Sequence, residues 1–437
     1  MTTPRVHAPA RTAPAVPPYR LVLVGGGPRA TYLLERLSAT VDRLGEGRRL
    51  QVRVFERTGE FGAGQAHSPT QSRTSYLNRI GCQVSFAADD TVTGAGPLRP
   101  EAQRPTLHEW CRRRFEETGE ADFDLAPEDW PKRYVHGLAL RDMFDTFAAD
   151  LTRHPGVELH LHRAEVVDVE PHEDGLCVVT GDGERHPADE VVLLTGHSYH
   201  DPRRAPAGRR LAGLADRGGA RYVPHPYPMD VELGPDRTGP GTVAGCAGTG
   251  LTAIDAVLHL TEGRGGTFHD APGHGLVYRP SGDEPAGIVA FSGSGLFTFA
   301  RPDNHKPSSS AGDHPGTFLT DEAIRRLRAH AGRPNPGGAD RLWRNESSGG
   351  AAFEPGGLDL TADFHPIRSD GGIDRRVTVL GVPSEGARSF LLSALRPNAN
   401  HYVMRDTLIW LDRFWHTMDR ADRGRRPRQG QRTTWPA

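Results

Sequence analysis

Lysine is almost absent: Lys132 and Lys306 are the only two in 437 residues, so arginine supplies nearly all of the 53 basic side chains. Against 55 acidic residues the formal net charge is only −2. A chain so balanced has no electrostatic footprint for nucleic acid or an anionic bilayer, and neither is an expected partner. Cysteine is scarce too. Cys82, Cys111, Cys177 and Cys246 are scattered, with no CxxC pair and no Cys/His cluster at ligand spacing. That argues against a zinc site or a redox disulfide and suits a reduced, cytoplasmic setting. No apolar run approaches the ~18 residues of a membrane span, and residues 1–18, rich in Pro, Ala and Arg, lack a signal-peptide core. His197, His200 and His225 form no HxxxH pair with a supporting acid, so no metal is expected. The Gly/Ser alternation around Ser294 lacks the strand-to-helix turn of a nucleophile elbow.

What is present is glycine in a telling place. The apolar run Leu21-Val22-Leu23-Val24 predicts a buried parallel strand, Gly25-Gly26-Gly27-Pro28-Arg29-Ala30 follows it, and Tyr32, Leu33, Leu34 and Leu37 recur at helical spacing. Residues 51–56 alternate as a second strand that ends in Glu56. Strand, glycine turn, helix and strand ending in an acid form the βαβ context in which this motif binds a dinucleotide. Gly25 permits the tight turn, Gly27 lets backbone approach a pyrophosphate, and the small Ala30 allows close helix–strand packing. Glu56 suits a ribose hydroxyl and repels a 2′-phosphate, which favours FAD or NAD over NADP at this turn.

Residues 59–135 read as irregular apart from short helical candidates near Leu107, and loops of that length are usually functional. An amphipathic helix is expected over 139–152, strands of a small sheet over 157–162, 164–169 and 176–180, and a buried strand over 189–196 ending at Gly196. The grammar then repeats: a strand over 241–247, the turn Gly248-Thr249-Gly250, and a helix through Leu260. No clear acid follows this helix. Arg264 is read either as a contact for the 2′-phosphate of NADPH or as a surface arginine in a turn. Residues 301–375 are rich in Gly, Pro, Ser and Asn except for a helical stretch at 320–331, a strand returns at 376–381, and an amphipathic helix spans 400–419. Phe291, Phe297 and Phe299 alternate, as pocket wall or as strand core.

These segments make the chain similar to the bacterial FAD/NAD(P)-binding family that includes flavin-dependent L-aspartate N-monooxygenases and an FAD-dependent urate hydroxylase. The likeness rests on the run from Gly25 to Ala30, Phe61-Gly62-Ala63-Gly64, Tyr76-Leu77-Asn78, the stretches 250–255, 260–266 and 278–282, and Ser384-Glu385-Gly386. It implies that NADPH reduces FAD, oxygen adds to the reduced flavin, and the resulting flavin hydroperoxide hydroxylates a small amine or electron-rich substrate. By that likeness FAD meets Gly25, Gly27, Pro28, Ala30, Glu56, Gly64, Asn78, Gly196, Glu385 and Gly386, and NADPH meets Gly248, Gly250 and Arg264. Asn78 is a flavin-proximal candidate or a turn cap; His197 is a flavin-proximal candidate or a satisfied loop histidine. The family often carries Ser-Arg-Ser-Gly where this chain has Ser292-Gly293-Ser294-Gly295. An arginine there could bind a substrate carboxylate and Gly293 cannot, which counts against aspartate as substrate.

The expected fold is α/β, with two Rossmann-like dinucleotide-binding domains arranged as in glutathione reductase. Residues 19–200 with 370–420 form the FAD domain, 201–300 the NAD(P)H domain inserted in it, 301–369 an insertion or lid, and 1–18 and 421–437 loose tails. The leading function is N-hydroxylation of an amino acid or related amine in specialised metabolism. The alternatives are C-hydroxylation of a purine-like or heteroaromatic ring, and a flavin-binding assembly protein without turnover.

Overall fold

The structure, a computed structural model, describes residues 17–173, 175–197, 203, 206–293, 295–296, 358, 360–368, 370–384 and 394–425. The expected helix at 320–331, nearly all of the 301–369 insertion, and the pair Glu385-Gly386 lie outside those residues.

The chain opens with β1 (Tyr19–Val24), α1 (Pro28–Ala39) and β2 (Leu50–Phe55). After a long irregular segment come α2 (Leu107–Thr118), α3 (Arg133–Thr152) and β3 (Val157–His162). Then follow β4 (Val166–His172), β5 (Gly175–Thr180), β6 (Arg185–Ala188) and β7 (Glu190–Leu193). A second part holds α4 (Pro206–Gly218), α5 (Met229–Glu232), β8 (Val243–Ala247), α6 (Leu251–Leu260), β9 (Thr267–Ala271), β10 (Gly275–Arg279) and β11 (Gly287–Phe291). The chain returns through β12 (Val377–Val379) and ends on α7 (Tyr402–Arg425). No helix among the described residues is long and apolar enough to cross a membrane.

The main sheet runs β12-β7-β1-β2-β3, and every pairing in it is parallel. Strand order reverses at β1, between β2 and β7, and in such sheets ligands bind beyond the carboxyl ends of the strands at that reversal. The pleat explains its two faces. Leu21 and Leu23 point into a core with Leu33, Leu37, Phe144 and Trp410, whereas Val22 and Val24 pack with Leu176, Val178 and Val191 against the antiparallel β4-β5-β6 sheet.

Polar ties close the core. Glu190, 1% exposed, accepts from Trp410 Nε1 at 2.8 Å, Arg413 Nη2 at 2.7 Å and Tyr19 OH at 3.2 Å, binding β7 to β1 and α7. Arg36 of α1, fully buried against Glu35, donates to the carbonyls of Ala95 and Pro97 at 2.8 and 3.0 Å and so anchors the long irregular segment. A buried guanidinium is tolerable only when paired and hydrogen-bonded in this way.

Three details differ from the sequence expectation. The strand at 157–162 is not part of the small sheet but the edge of the main one, in register with β2. Its half-exposed pattern is that of an edge strand, which alternation alone cannot tell from a two-sided small sheet. Helix α3 begins at Arg133 rather than 139, because Tyr134 and Val135 already belong to its buried face. Helix α7 continues to Arg425.

Inside α3, His136 is 1% exposed, with its Nδ1 3.3 Å from that of His67. Burial, then His67, then Arg133 hold the His136 imidazole well below the ordinary histidine range; burial and Arg133 push His67 down to about 3. Both therefore stay neutral in the folded state where the unfolded chain is protonated. The stability they contribute is complete above the unfolded pKa and is lost as pH falls below it. Urea unfolding should show stability falling as pH drops below about 6.5, the ordinary histidine pKa. His136→Gln should flatten that slope; an unchanged slope contradicts the assignment.

Candidate functional site

The first turn leaves β1 where no side chain fits. Gly25 has φ +109°, and a Cβ there would lie 2.3 Å from the carbonyl oxygen of Leu194 at the end of β7. Its N–H donates to Phe55 O at 2.8 Å. Gly27 caps α1 and Pro28 occupies the first helical position, where a missing N–H costs nothing. Ala30 is wholly buried against the sheet. A Cβ on Gly27 would find only Gly64, whose Cα is 3.5 Å away, so two bare backbones face one another over the start of α1. Unsatisfied N–H groups and the positive end of the helix dipole make this crevice fit a pyrophosphate.

Glu56 stands beside it, 9% exposed, accepting from Gly26 N at 3.0 Å and from Thr58 Oγ1 at 3.0 Å. A carboxylate oxygen has a further lone pair, so Glu56 can still take a hydroxyl proton. At the neighbouring strand end Gly196 has φ +67°, and Asn78 and His197 are exposed. Arg29 passes alongside Gly381 after β12 and donates to Val403 O at 3.3 Å. Burial, then the guanidinium groups of Arg79, Arg29, Arg396 and Arg405, push His401 down to about 3. The arginine cluster was not visible in the sequence, where its members are far apart.

The second turn repeats the first in backbone detail. Gly248 has φ +118°, and the α6 cap Gly250 has φ −84° and ψ −167°, against −78° and −161° for Gly27. Gly248 N donates to Phe291 O at 2.8 Å, as Gly25 N does to Phe55 O. Helix α6 is docked on the first unit. Asp255, 4% exposed, accepts from Arg133 Nη1 at 2.7 Å and from Tyr227 OH at 2.5 Å, and His259 Nδ1 lies 3.1 Å from Ser72 Oγ. A cavity of about 390 Å³ opens between the 69–74 loop and α6. Ser72, His259 and Asp230 line it without forming a proton relay, because the serine and the acid both face Nδ1, the acid at 3.7 Å.

Arg264 is buried, not a surface arginine in a turn: it is 8% exposed. Its Nη2 donates to Leu233 O and, at 2.8 Å, to Thr238 Oγ1, which braces the α5–β8 connection, while its buried Nε has no hydrogen-bond partner. Glu385 and Gly386 lie outside the described residues. Among the described residues no group of three His, Cys, Asp or Glu is placed to hold a metal ion.

A parallel sheet with its strand reversal at a glycine turn, a helix N-terminus and an acid at the end of β2 defines a dinucleotide-binding α/β protein. Residues 22–198 match the family model described as FAD-NAD(P)-binding. The chain is similar to the nitrosuccinic acid synthase of Aspergillus oryzae, with 34% identity over 328 residues, 74% of this chain and 47% of that protein. It is also similar to an L-aspartate N-monooxygenase (nitrosuccinate-forming) of Streptomyces cremeus, with 33% identity over 334 residues, 72% of this chain and 47% of that protein. The chain thus spans about half the length of these relatives. Among solved structures, Lactococcus lactis thioredoxin reductase overlaps 92% of the chain and 99% of its own at 10% identity, with a TM-score of only 0.34.

The crevice between Gly27 and Gly64 gives a direct test. Gly27→Val places methyl groups against the Gly64 backbone and should weaken FAD binding by on the order of tenfold or more, while far-UV circular dichroism stays unchanged. Flavin absorbance after reconstitution and gel filtration reads the result; a fully loaded variant contradicts the assignment.

Proposed function

We propose that this protein is a flavin-dependent monooxygenase that consumes a reduced nicotinamide dinucleotide and N-hydroxylates an amino acid or related amine in specialised metabolism. The observation that carries the reading is the duplicated turn. Gly25 and Gly248 share one backbone conformation, each opens a helix from a parallel strand, and one chain therefore offers two dinucleotide cradles. Hydride passing from nicotinamide to flavin needs both. The names of the relatives, nitrosuccinate-forming among them, point the chemistry toward nitrogen.

In this reading FAD occupies the first turn. The N–H groups at the start of α1 hold its pyrophosphate, Glu56 accepts from its ribose, and Gly64 leaves the backbone surface bare enough for close approach. Bound FAD supplies the redox and oxygen-activating chemistry. The chain's own part is to position the partners and exclude water. The irregular segment anchored by Arg36 brings Gly64 to the site, and the contact of Asp255 with Arg133 fixes α6 against the first unit.

The test is oxygen incorporation. Flavin-loaded protein is supplied with NADH or NADPH and ¹⁸O₂ in the presence of free amino acids, aspartate included, and products are read by mass spectrometry. The expected product is a hydroxylamine or a more oxidised nitrogen compound carrying the label. Label appearing in a ring carbon of a heteroaromatic compound, or peroxide alone for every amine, contradicts N-hydroxylation.

A further inference from the structure

The likeness of the two turns extends to the residue that reads the ribose. In the first unit Gly25 N is bonded to Phe55 O at the end of β2, and the next residue, Glu56, turns back on the glycine turn. In the second unit Gly248 N is bonded to Phe291 O at the end of β11, which pairs in parallel with β8. Phe291 therefore stands where Phe55 stands, and Ser292 stands where Glu56 stands. The β9-β10 hairpin lies between α6 and β11 and hides this correspondence in the sequence.

At this position dinucleotide folds choose their coenzyme. An acid accepts from a free ribose 2′-hydroxyl, and an arginine close by receives a 2′-phosphate. Here the run is Ser292-Gly293-Ser294-Gly295-Leu296, which carries no charged group. The Ser292 hydroxyl accepts from Gly295 N at 3.0 Å. Arg264, the cation that the sequence offered, is buried, with its Nη2 bonded to Leu233 O and Thr238 Oγ1. A 2′-phosphate would bring close to two negative charges to a run with no guanidinium of its own to meet them.

We propose that Ser292 and Gly293 form the ribose-reading position of the second unit and make it a site that prefers NADH over NADPH. The proposal rests on the reading of that unit as the nicotinamide site. The same geometry gives a new meaning to the Ser-Arg-Ser-Gly pattern: an arginine at 293 would stand where a 2′-phosphate is read, so Gly293 bears on the coenzyme and leaves the choice of substrate open.

Equilibrium binding tests this without turnover. NAD⁺ and NADP⁺ are titrated calorimetrically into the full, flavin-loaded chain and into its Gly293→Arg variant. Gly293 is exposed, has no atom within 4 Å of a built Cβ and does not adopt a left-handed φ, so arginine fits there without strain. NAD⁺ should bind the natural chain at least as tightly as NADP⁺. Gly293→Arg should tighten NADP⁺ by on the order of tenfold and move NAD⁺ much less. A natural chain that prefers NADP⁺ by on the order of tenfold, a variant with an unchanged ratio, or binding of neither dinucleotide overturns the proposal. Loss of oxygen incorporation alone, with the binding ratios as expected, instead overturns the monooxygenase reading.

Discussion

The site depends on one steric constraint. Between β1 and β7 the Leu194 carbonyl approaches Gly25 so closely that a methyl group there would overlap it, and φ at Gly25 lies where other residues are strained. This close crossing lets β1 turn abruptly into α1, brings the start of the helix to the carboxyl edge of the sheet, and sets Glu56 beside Gly26. The apolar layers behind it, Leu21 and Leu23 on one face and Val22 and Val24 on the other, keep β1 from moving to relieve the contact. A backbone cradle is thereby built by packing and needs no charged side chain to create it.

The second turn reuses that solution with less support. Its strands β8 and β11 are half-exposed, and α6 is steadied from outside its own unit through Asp255 with Arg133 and through His259 with Ser72, with Tyr227 of its own unit also bonded to Asp255. Charge-assisted hydrogen bonds between largely buried partners fix an orientation as well as adding energy. The placement of one dinucleotide cradle relative to the other is thus written in polar contacts, while each cradle is written in glycine and apolar strands.

That division explains what could be read from the sequence. β1, β2, β7, β8 and β12 announce themselves as short apolar runs, and both turns as glycines between a strand and a helical pattern, because these signals are local. The pairing of β3 with β2 is not local, and its half-exposed alternation fits a small sheet equally well. The burial of Arg264 was not legible either, because a long polar side chain bonded to a carbonyl and a threonine hydroxyl leaves no periodic trace. The nearness of Gly293 to the second turn comes from β11 lying beside β8, which only the fold reveals. The arginines around His401 and the His67–His136 pair are likewise assembled from distant segments.

If two cradles built alike face one another across one molecule, electrons must pass between their occupants. Anaerobic titration of the FAD-loaded chain with reduced nicotinamide, followed by the flavin absorbance, tests this most directly. The flavin should bleach with a single equivalent of coenzyme and recover its colour when air is admitted. A chain that holds FAD fully and keeps its oxidised spectrum with excess NADH and with excess NADPH contradicts the account.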